Sequence, residues 1–427
     1  MKAEQLALQR NRYAHLSDEE WRWMLQQVEG RQRTCDKLPT FAEIDDWWYP
    51  VRLSCEQCSS EITARYKASL LPKTPFTLID LTGGYGVDTF FMSERATQAH
   101  YVERNEELCR IVKHNFALHR PQVSIHNTTA EHFLSTLLLK EKNSLPLSLP
   151  LEEKDSLPLS LPLEGGAGGG LVIYLDPARR DAHGGKVFRI EDCVPNVVQI
   201  LHQFLPLKGR LGGVIIKLSP MLDITQALRS LPMSFDVHIV AVKNEVKEVL
   251  LVQTDGEPTI HAVNLSPTTQ QIFSFTQEEE KKTLLSPPSE GRESLPSEGE
   301  ARWGLLSPLK GEMEGVIYEP NAAIIKAGAF KLVAQRYGLY KMAPNTHLYL
   351  SDQLIEDFPG RVWQILEINP KDMKQIPGAN ILTRNYPLTP EQLRKKLKIK
   401  DSDTHTIIGA RLGEKPILFL CKKIVPL

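Results

Sequence analysis

Seven short apolar segments between Phe76 and about Asp255 constrain the fold of this chain more than any other feature: FTLIDL, QAHYVER, VSIHNTT, LVIYLDP, GGVIIKL, FDVHIVAV and EVLLVQT. Strands that alternate with helix-length stretches indicate a twisted, largely parallel sheet covered by helices. The last pair breaks the rule. HIVAV and VLLVQT are separated only by KNEVKE, too short for a crossover helix, so they should form an antiparallel hairpin. With 427 residues and 41% hydrophobic residues, the chain has material for such a core and for two to four domains.

The first segment runs into the turn DLTGGYGVDT, where Gly83, Gly84 and Gly86 follow Asp80. A strand, a tight glycine turn and a helix start let a ligand approach the backbone closely. Gly84 and Gly86 fit the dinucleotide pattern G-x-G-x-x-G, but its third place is Thr89, and Asp88 in the first helical turn would repel a phosphate. Asp80 instead suits a ligand with positive charge nearby. S-adenosylmethionine carries an ammonium and a sulfonium and no phosphate. Its ribose needs an acceptor, and Glu103, at the end of the second segment, has two carboxylate oxygens for the two hydroxyls.

Two segments differ from the rest in composition. Asn143 to Gly166 is a tandem duplication, NSLPLSLPLEEK then DSLPLSLPLEGG, and Leu284 to Gly315 repeats LLSP at its two ends. Regular proline excludes helix and central strand, so both read as flexible surface insertions, spanning 143–169 and 284–315. Before Pro75 the chain reads as helical. Ser17 and Glu20 are spaced as a capping box, CEQCSSEITARYKASLL should be one helix, and Trp47, Trp48 and Tyr49 should be core. Cys55 and Cys58 make a single CxxC with no second pair, so no metal is expected. Without an 18-residue apolar run or a signal-peptide core near Met1, the sequence points to a cytoplasmic protein with no membrane contact.

The stretches SSEITARYKAS, DLTGGYGVDT, YVERN, YLDPARRD, KLSPMLDI, KNEVKEVLLV and YEPNAAIIKAGAF resemble those of a bacterial family of class I S-adenosylmethionine-dependent methyltransferases. Its members join a helical N-terminal region, a methyltransferase domain, a small ferredoxin-like domain and a C-terminal THUMP-like domain. The resemblance implies an α/β fold with a Rossmann-like sheet ending in the antiparallel hairpin, followed by C-terminal α+β domains. It divides the chain into 1–75, 76–257, 258–358 and 359–427, with one insertion each in the second and third segments. It places the methionine end of the cofactor on Asp80, Gly83, Gly84 and Gly86, the ribose on Glu103 and the adenine amino group near Glu131. The catalytic motif would be Asp176, Pro177 and Arg179. Enzymes that methylate exocyclic amines often carry an aromatic ring in this motif for base stacking, and here Ala178 and Arg179 stand in its place. Lys217 is a second candidate beside the acceptor, and Cys193 a weak one for carbon methylation.

The C-terminal end of the chain points to an anionic partner. From Arg384 to the end there are ten Lys and Arg against four Asp and Glu, in a chain whose formal net charge is -1. Thr389, Pro390 and Gln392 mark a helix start, with Leu393 and Leu397 inward and Arg394, Lys395, Lys396 and Lys398 around them. Together with the THUMP-like resemblance this suggests an RNA methyltransferase acting on rRNA or tRNA. Two other readings stay open at this point: a non-catalytic RNA-binding protein with a methyltransferase-like fold, and a methyltransferase for proteins or small molecules.

Overall fold

The computed structural model describes residues 3–143, 170–178, 189–204, 211–283, 315–369, 376 and 378–424. The two insertions, boundary residues apart, fall outside these ranges, as do Arg179 and Arg180. The chain divides into two compact units. The first takes 1–240, 247–258 and 265–267, and the second 241–246, 259–264 and 268–427.

In the first unit, with only the 241–246 tip of the last two counted to the second, the strands are β1 (Phe76–Asp80), β2 (Gln98–Glu103), β3 (Val123–Asn127), β4 (Gly170–Leu175), β5 (Leu211–Leu218), β6 (Phe235–Val242) and β7 (Glu245–Gln253). Their order in the sheet is β3-β2-β1-β4-β5-β7-β6. Pairing is parallel from β3 through β5, while β7 runs antiparallel to β5. The expected hairpin is present, but its loop is only Lys243 and Asn244, both at positive φ. That geometry matches the right-handed twist of the flanking strands, so the strands extend into what reads as loop. The strand order reverses between β1 and β4, and their carboxyl ends open a crevice there. Asp80 and Tyr174 are register partners at that place.

The N-terminal helices share the core of this sheet. Leu38, Phe41, Trp47 and Tyr49 are buried with Phe76, Leu78, Tyr101 and Phe116. The helix Asp18–Thr34 begins with the predicted capping box, in which Ser17 and Glu20 exchange hydrogen bonds of 2.8 and 3.2 Å. The single helix predicted over CEQCSSEITARYKASLL is instead two, Arg52–Gln57 and Glu61–Ser69. Cys58 ends the first in an extended conformation and the Ser60 side chain caps the second, accepting from the Thr63 amide. Serine competes for backbone donors and favours such boundaries over helix interiors. The break leaves Ser59 in a loop, where its hydroxyl reaches the sheet. Cys55 and Cys58 bond to backbone carbonyls, and burial pushes the Cys55 thiol up to about 12. Among the described residues no group of His, Cys, Asp and Glu could hold a metal ion, and no helix is long and apolar enough to cross a membrane.

The second unit contains β8 (Ile260–Leu265), β9 (Gln270–Phe275) and a seven-stranded sheet. The sheet uses β10 (Val316–Pro320), β11 (Tyr340–Ala343), β12 (Thr346–Ser351), β13 (Gly360–Ile368), β14 (Asn380–Arg384), β15 (Thr406–Leu412) and β16 (Lys415–Ile424), in the order β11-β12-β10-β13-β16-β15-β14. Glu319 on β10 is buried and accepts from Arg361 Nε at 2.7 Å and Arg384 Nε at 2.6 Å. Those arginines lie on β13 and β14, so the sheet curls until the end of β14 approaches β10.

Candidate active site

The glycine turn is built by its neighbours. An added Cβ at Gly83 would lie 2.1 Å from the Tyr101 ring, whose hydroxyl donates to the Gly84 carbonyl at 2.5 Å, so only glycine fits there. Gly84 has φ +54°, and a Cβ added on it would meet nothing closer than 3.9 Å. The space beside the turn is therefore open. Glu103 accepts the Gly84 amide at 3.0 Å on one oxygen and the Asn105 amide at 2.8 Å on the other. Both bonds fix the plane of the carboxylate, and each oxygen keeps a lone pair for a further donor. On the other flank, Tyr85 of the turn is locked by the N-terminal region, since its hydroxyl accepts from Trp47 Nε1 at 2.8 Å.

Asp80 is 1% exposed and spends its oxygens on the turn. It accepts from the Thr82 amide at 3.0 Å and the Thr89 hydroxyl at 2.5 Å. Burial pushes its carboxyl up to about 7, against the pull of those two hydrogen bonds. A cation beside it would favour the ionised form. An open glycine cradle, a fixed carboxylate at the end of β2 and a buried carboxyl short of positive charge all fit a cationic nucleoside without phosphate.

Behind the crevice lies a cluster of buried charge. Lys67, 0% exposed, donates to Glu248 Oε1 and Oε2 at 2.7 and 2.8 Å and lies 3.2 Å from Asp88 Oδ1. Asp88 Oδ2 accepts from the hydroxyls of Ser59 and Tyr174, both at 2.7 Å. Lys217, 4% exposed, donates to Asp176 Oδ2 at 2.5 Å and to Ser59 Oγ at 3.2 Å, with Asp88 Oδ2 3.8 Å away. For Asp88, burial pushes the carboxyl upward, yet Lys67, Lys217 and the two hydroxyls together hold it below the usual value. For Lys217, burial pulls downward, and Asp176, Asp88 and Glu248 outweigh it and hold the ammonium above the ordinary lysine range. The carboxylates around Lys217 thus favour its charged form.

Asp176 sits at the outer end of this cluster, 31% exposed and just past β4, with its amide donating to Thr82 Oγ1 at 2.6 Å. The structure thus brings Asp80, the three glycines, Glu103, Asp176 and Pro177 to the carboxyl ends of the strands. Glu131 is exposed in the first turn of the helix Ala130–Asn143 that follows β3. Cys193 is buried, and an isolated bridge between Ala178 and Val194 draws its segment beside the motif. Burial pushes its thiol up to about 11. Sequence reasoning missed Ser59, Lys67, Tyr174 and Glu248, and read Asp88 only as a repellent of phosphate. One signal was available: Lys217 and Glu248 each interrupt or flank an apolar strand, where an unpaired charge is too costly to persist.

The comparisons with known proteins concern the domains and the fold. Residues 317–359 match a ferredoxin-like domain and residues 360–423 a THUMP domain-like family. A crystal structure of a provisionally assigned methyltransferase from Porphyromonas gingivalis W83 is 30% identical, covers 100% of this chain and 95% of its own, and superposes with a TM-score of 0.75. Two proteins of Mycobacterium tuberculosis, from strains CDC 1551 / Oshkosh and ATCC 25618 / H37Rv, are named as uncharacterised S-adenosylmethionine-dependent methyltransferases. Each is 22% identical over 251 residues, covering 57% of this chain and 60% of its own length.

The site generates two expectations. Glu103→Ala should weaken S-adenosylmethionine binding by about 1 to 3 kcal/mol, the usual worth of a charge-assisted hydrogen bond, and calorimetry showing full affinity would exclude Glu103 from the pocket. The second concerns pH. Because the folded pKa of Asp80 is raised from 3.8 to about 7, the folded chain keeps a proton that the unfolded chain releases between those values. Stability should therefore decline through that window, by on the order of 1.4 kcal/mol per pH unit from this group. Urea titrations of Asp80→Asn against the parent chain should show the decline removed; parallel curves at every pH would refute it.

Proposed function

This chain belongs to the class I S-adenosylmethionine-dependent methyltransferases that carry a ferredoxin-like and a THUMP-like domain, and we propose that it methylates structured RNA, rRNA or tRNA, in the cytoplasm. In this reading Gly83, Gly84 and Gly86 line the cofactor's methionine end, Asp80 holds the turn in shape and Glu103 takes the ribose hydroxyls. Glu131 faces the adenine. Asp176 and Pro177, with Arg179 next in the chain, meet the acceptor. The cofactor supplies an activated methyl group, so the protein's task is alignment of the acceptor with it. The working division of labour follows four segments, 1–75, 76–257, 258–358 and 359–427, of which the C-terminal segment holds RNA.

The observation that carries the RNA assignment is the helix Pro390–Leu397 with the residues after it. Thr389 and Gln392 close a capping box at 3.0 and 3.3 Å, and Leu393 is buried. Lys395, Lys396, Lys398 and Lys400 project around it, and all four are exposed. Arg394 belongs to the structure instead, paired with Asp401 at 2.5 Å and half-buried, so it is not part of the free surface. Lysines of this density suit a phosphate backbone.

Labelled methyl transfer into total RNA and total protein tests the assignment directly, and label confined to protein would reject it. Replacing Lys395, Lys396, Lys398 and Lys400 with Gln should weaken binding to structured RNA without changing cofactor affinity. The salt dependence should become shallower by roughly 0.7 to 0.9 in slope for each phosphate no longer neutralised. An unaltered slope would move the RNA surface elsewhere.

A further inference from the structure

We propose that the acceptor atom is a hydroxyl oxygen, and in RNA the ribose 2′-oxygen, with Asp176 and Lys217 as the catalytic pair. This deepens the RNA reading above and rests on it. Sign of charge decides between acceptor classes. When a neutral exocyclic amine attacks a methyl group, positive charge develops on its nitrogen. When a hydroxyl attacks, negative charge develops on its oxygen as the proton departs. A fixed cation beside the acceptor opposes the first transition state and stabilises the second.

Lys217 supplies that cation. Its ammonium lies 2.5 Å from Asp176, so any group bound to Asp176 is next to it as well. It is buried, so solvent screens it poorly. Amine recognition is also incomplete at this place, because Ala178 and Arg179 stand where amine-methylating enzymes often carry an aromatic ring to stack on the base. Among the described residues Asp176 uses only Oδ2, for Lys217, which leaves Oδ1 to take the hydroxyl proton.

The balance is simple. The hydroxyl oxygen forms a bond to the methyl carbon, the carbon–sulfur bond breaks with its electron pair returning to sulfur, and the proton passes to Asp176 and then to water. The remaining groups position this pair. Ser59 bonds both Asp88 and Lys217, while Lys67 pairs with Glu248 and Asp88, so the Lys217 ammonium is held in place beside Asp176. The sugar 2′-hydroxyl is the hydroxyl that distinguishes RNA from DNA at a given site.

The test uses the full chain, tritiated S-adenosylmethionine and total RNA from cells of the source organism that lack the gene. A 2′-O-methyl group blocks alkaline cleavage of the adjacent phosphodiester, so label should survive alkali in dinucleotides. Label on a base, recovered in mononucleotides, overturns the inference while leaving the RNA reading intact. Label in protein alone, or in nothing, removes the RNA reading and the inference with it. Lys217→Met should slow transfer about 100-fold, the scale of losing one preorganised charge donor. Its cofactor affinity should match the parent by calorimetry, and Lys217→Arg should recover some of the rate. Ser59→Ala should lower kcat several-fold with KM for the cofactor unchanged, and Ser59→Thr should restore it. Equal loss of cofactor affinity and rate in these variants would reduce the cluster to a structural role and overturn the assignment.

Discussion

The ion cluster of Lys67, Asp88, Glu248, Lys217 and Asp176 is the constraint around which the first unit is arranged. Buried charge survives only when partners meet it with good geometry, and removing one partner strands another. Here the partners come from five places in the chain: the helix Glu61–Ser69, the helix after the glycine turn, the end of β4, the C-terminal half of β5 and β7. The N-terminal helices must therefore dock on the sheet before the cluster is complete. Their aromatic residues make that docking favourable, with Phe41 and Trp47 stacked at 4.0 Å and both packed against Phe90. The N-terminal helical region thus supplies Ser59 and Lys67 to the cluster behind the candidate site.

The cluster also explains why the hairpin matters. In an all-parallel sheet the position beside β5 would be filled by a parallel strand, whose carboxyl end lies at the crevice. The antiparallel β7 runs the other way, so Glu248, near its start, lies in register beyond Leu218. That places a carboxylate level with the ends of β4 and β5, where Lys67 can reach it. Topology thus supplies a fixed anion behind the crevice, and that anion anchors Lys67 in the buried cluster.

Much of this was legible from residue patterns. The strand and helix alternation, the hairpin, the glycine turn and Glu103 follow from periods and spacings that a short window contains. The capping boxes at Ser17 and Thr389 are equally local, a serine or threonine with a partner three residues on, and both form. The helix break at Cys58–Ser60 was not legible, because the helix-forming residues on either side outweigh two serines until Asp88 is present to hold Ser59. Arg394 is similar. Its neighbours in sequence make it one of four cations on a helix, whereas Asp401 and the Ala379 carbonyl take it out of that group.

Sequence alone determined most of the elements, their order and the family, since these follow from residue patterns that are local in the chain. Only the tertiary structure decided which charges meet. Lys67 and Glu248 are 181 residues apart and Ser59 and Lys217 are 158 apart, yet they share hydrogen bonds of 2.7 and 3.2 Å. No local pattern marks such a pair, because the force that joins them is the cost of leaving a charge or a polar group alone in a medium of low dielectric, and that cost exists only once the core has closed.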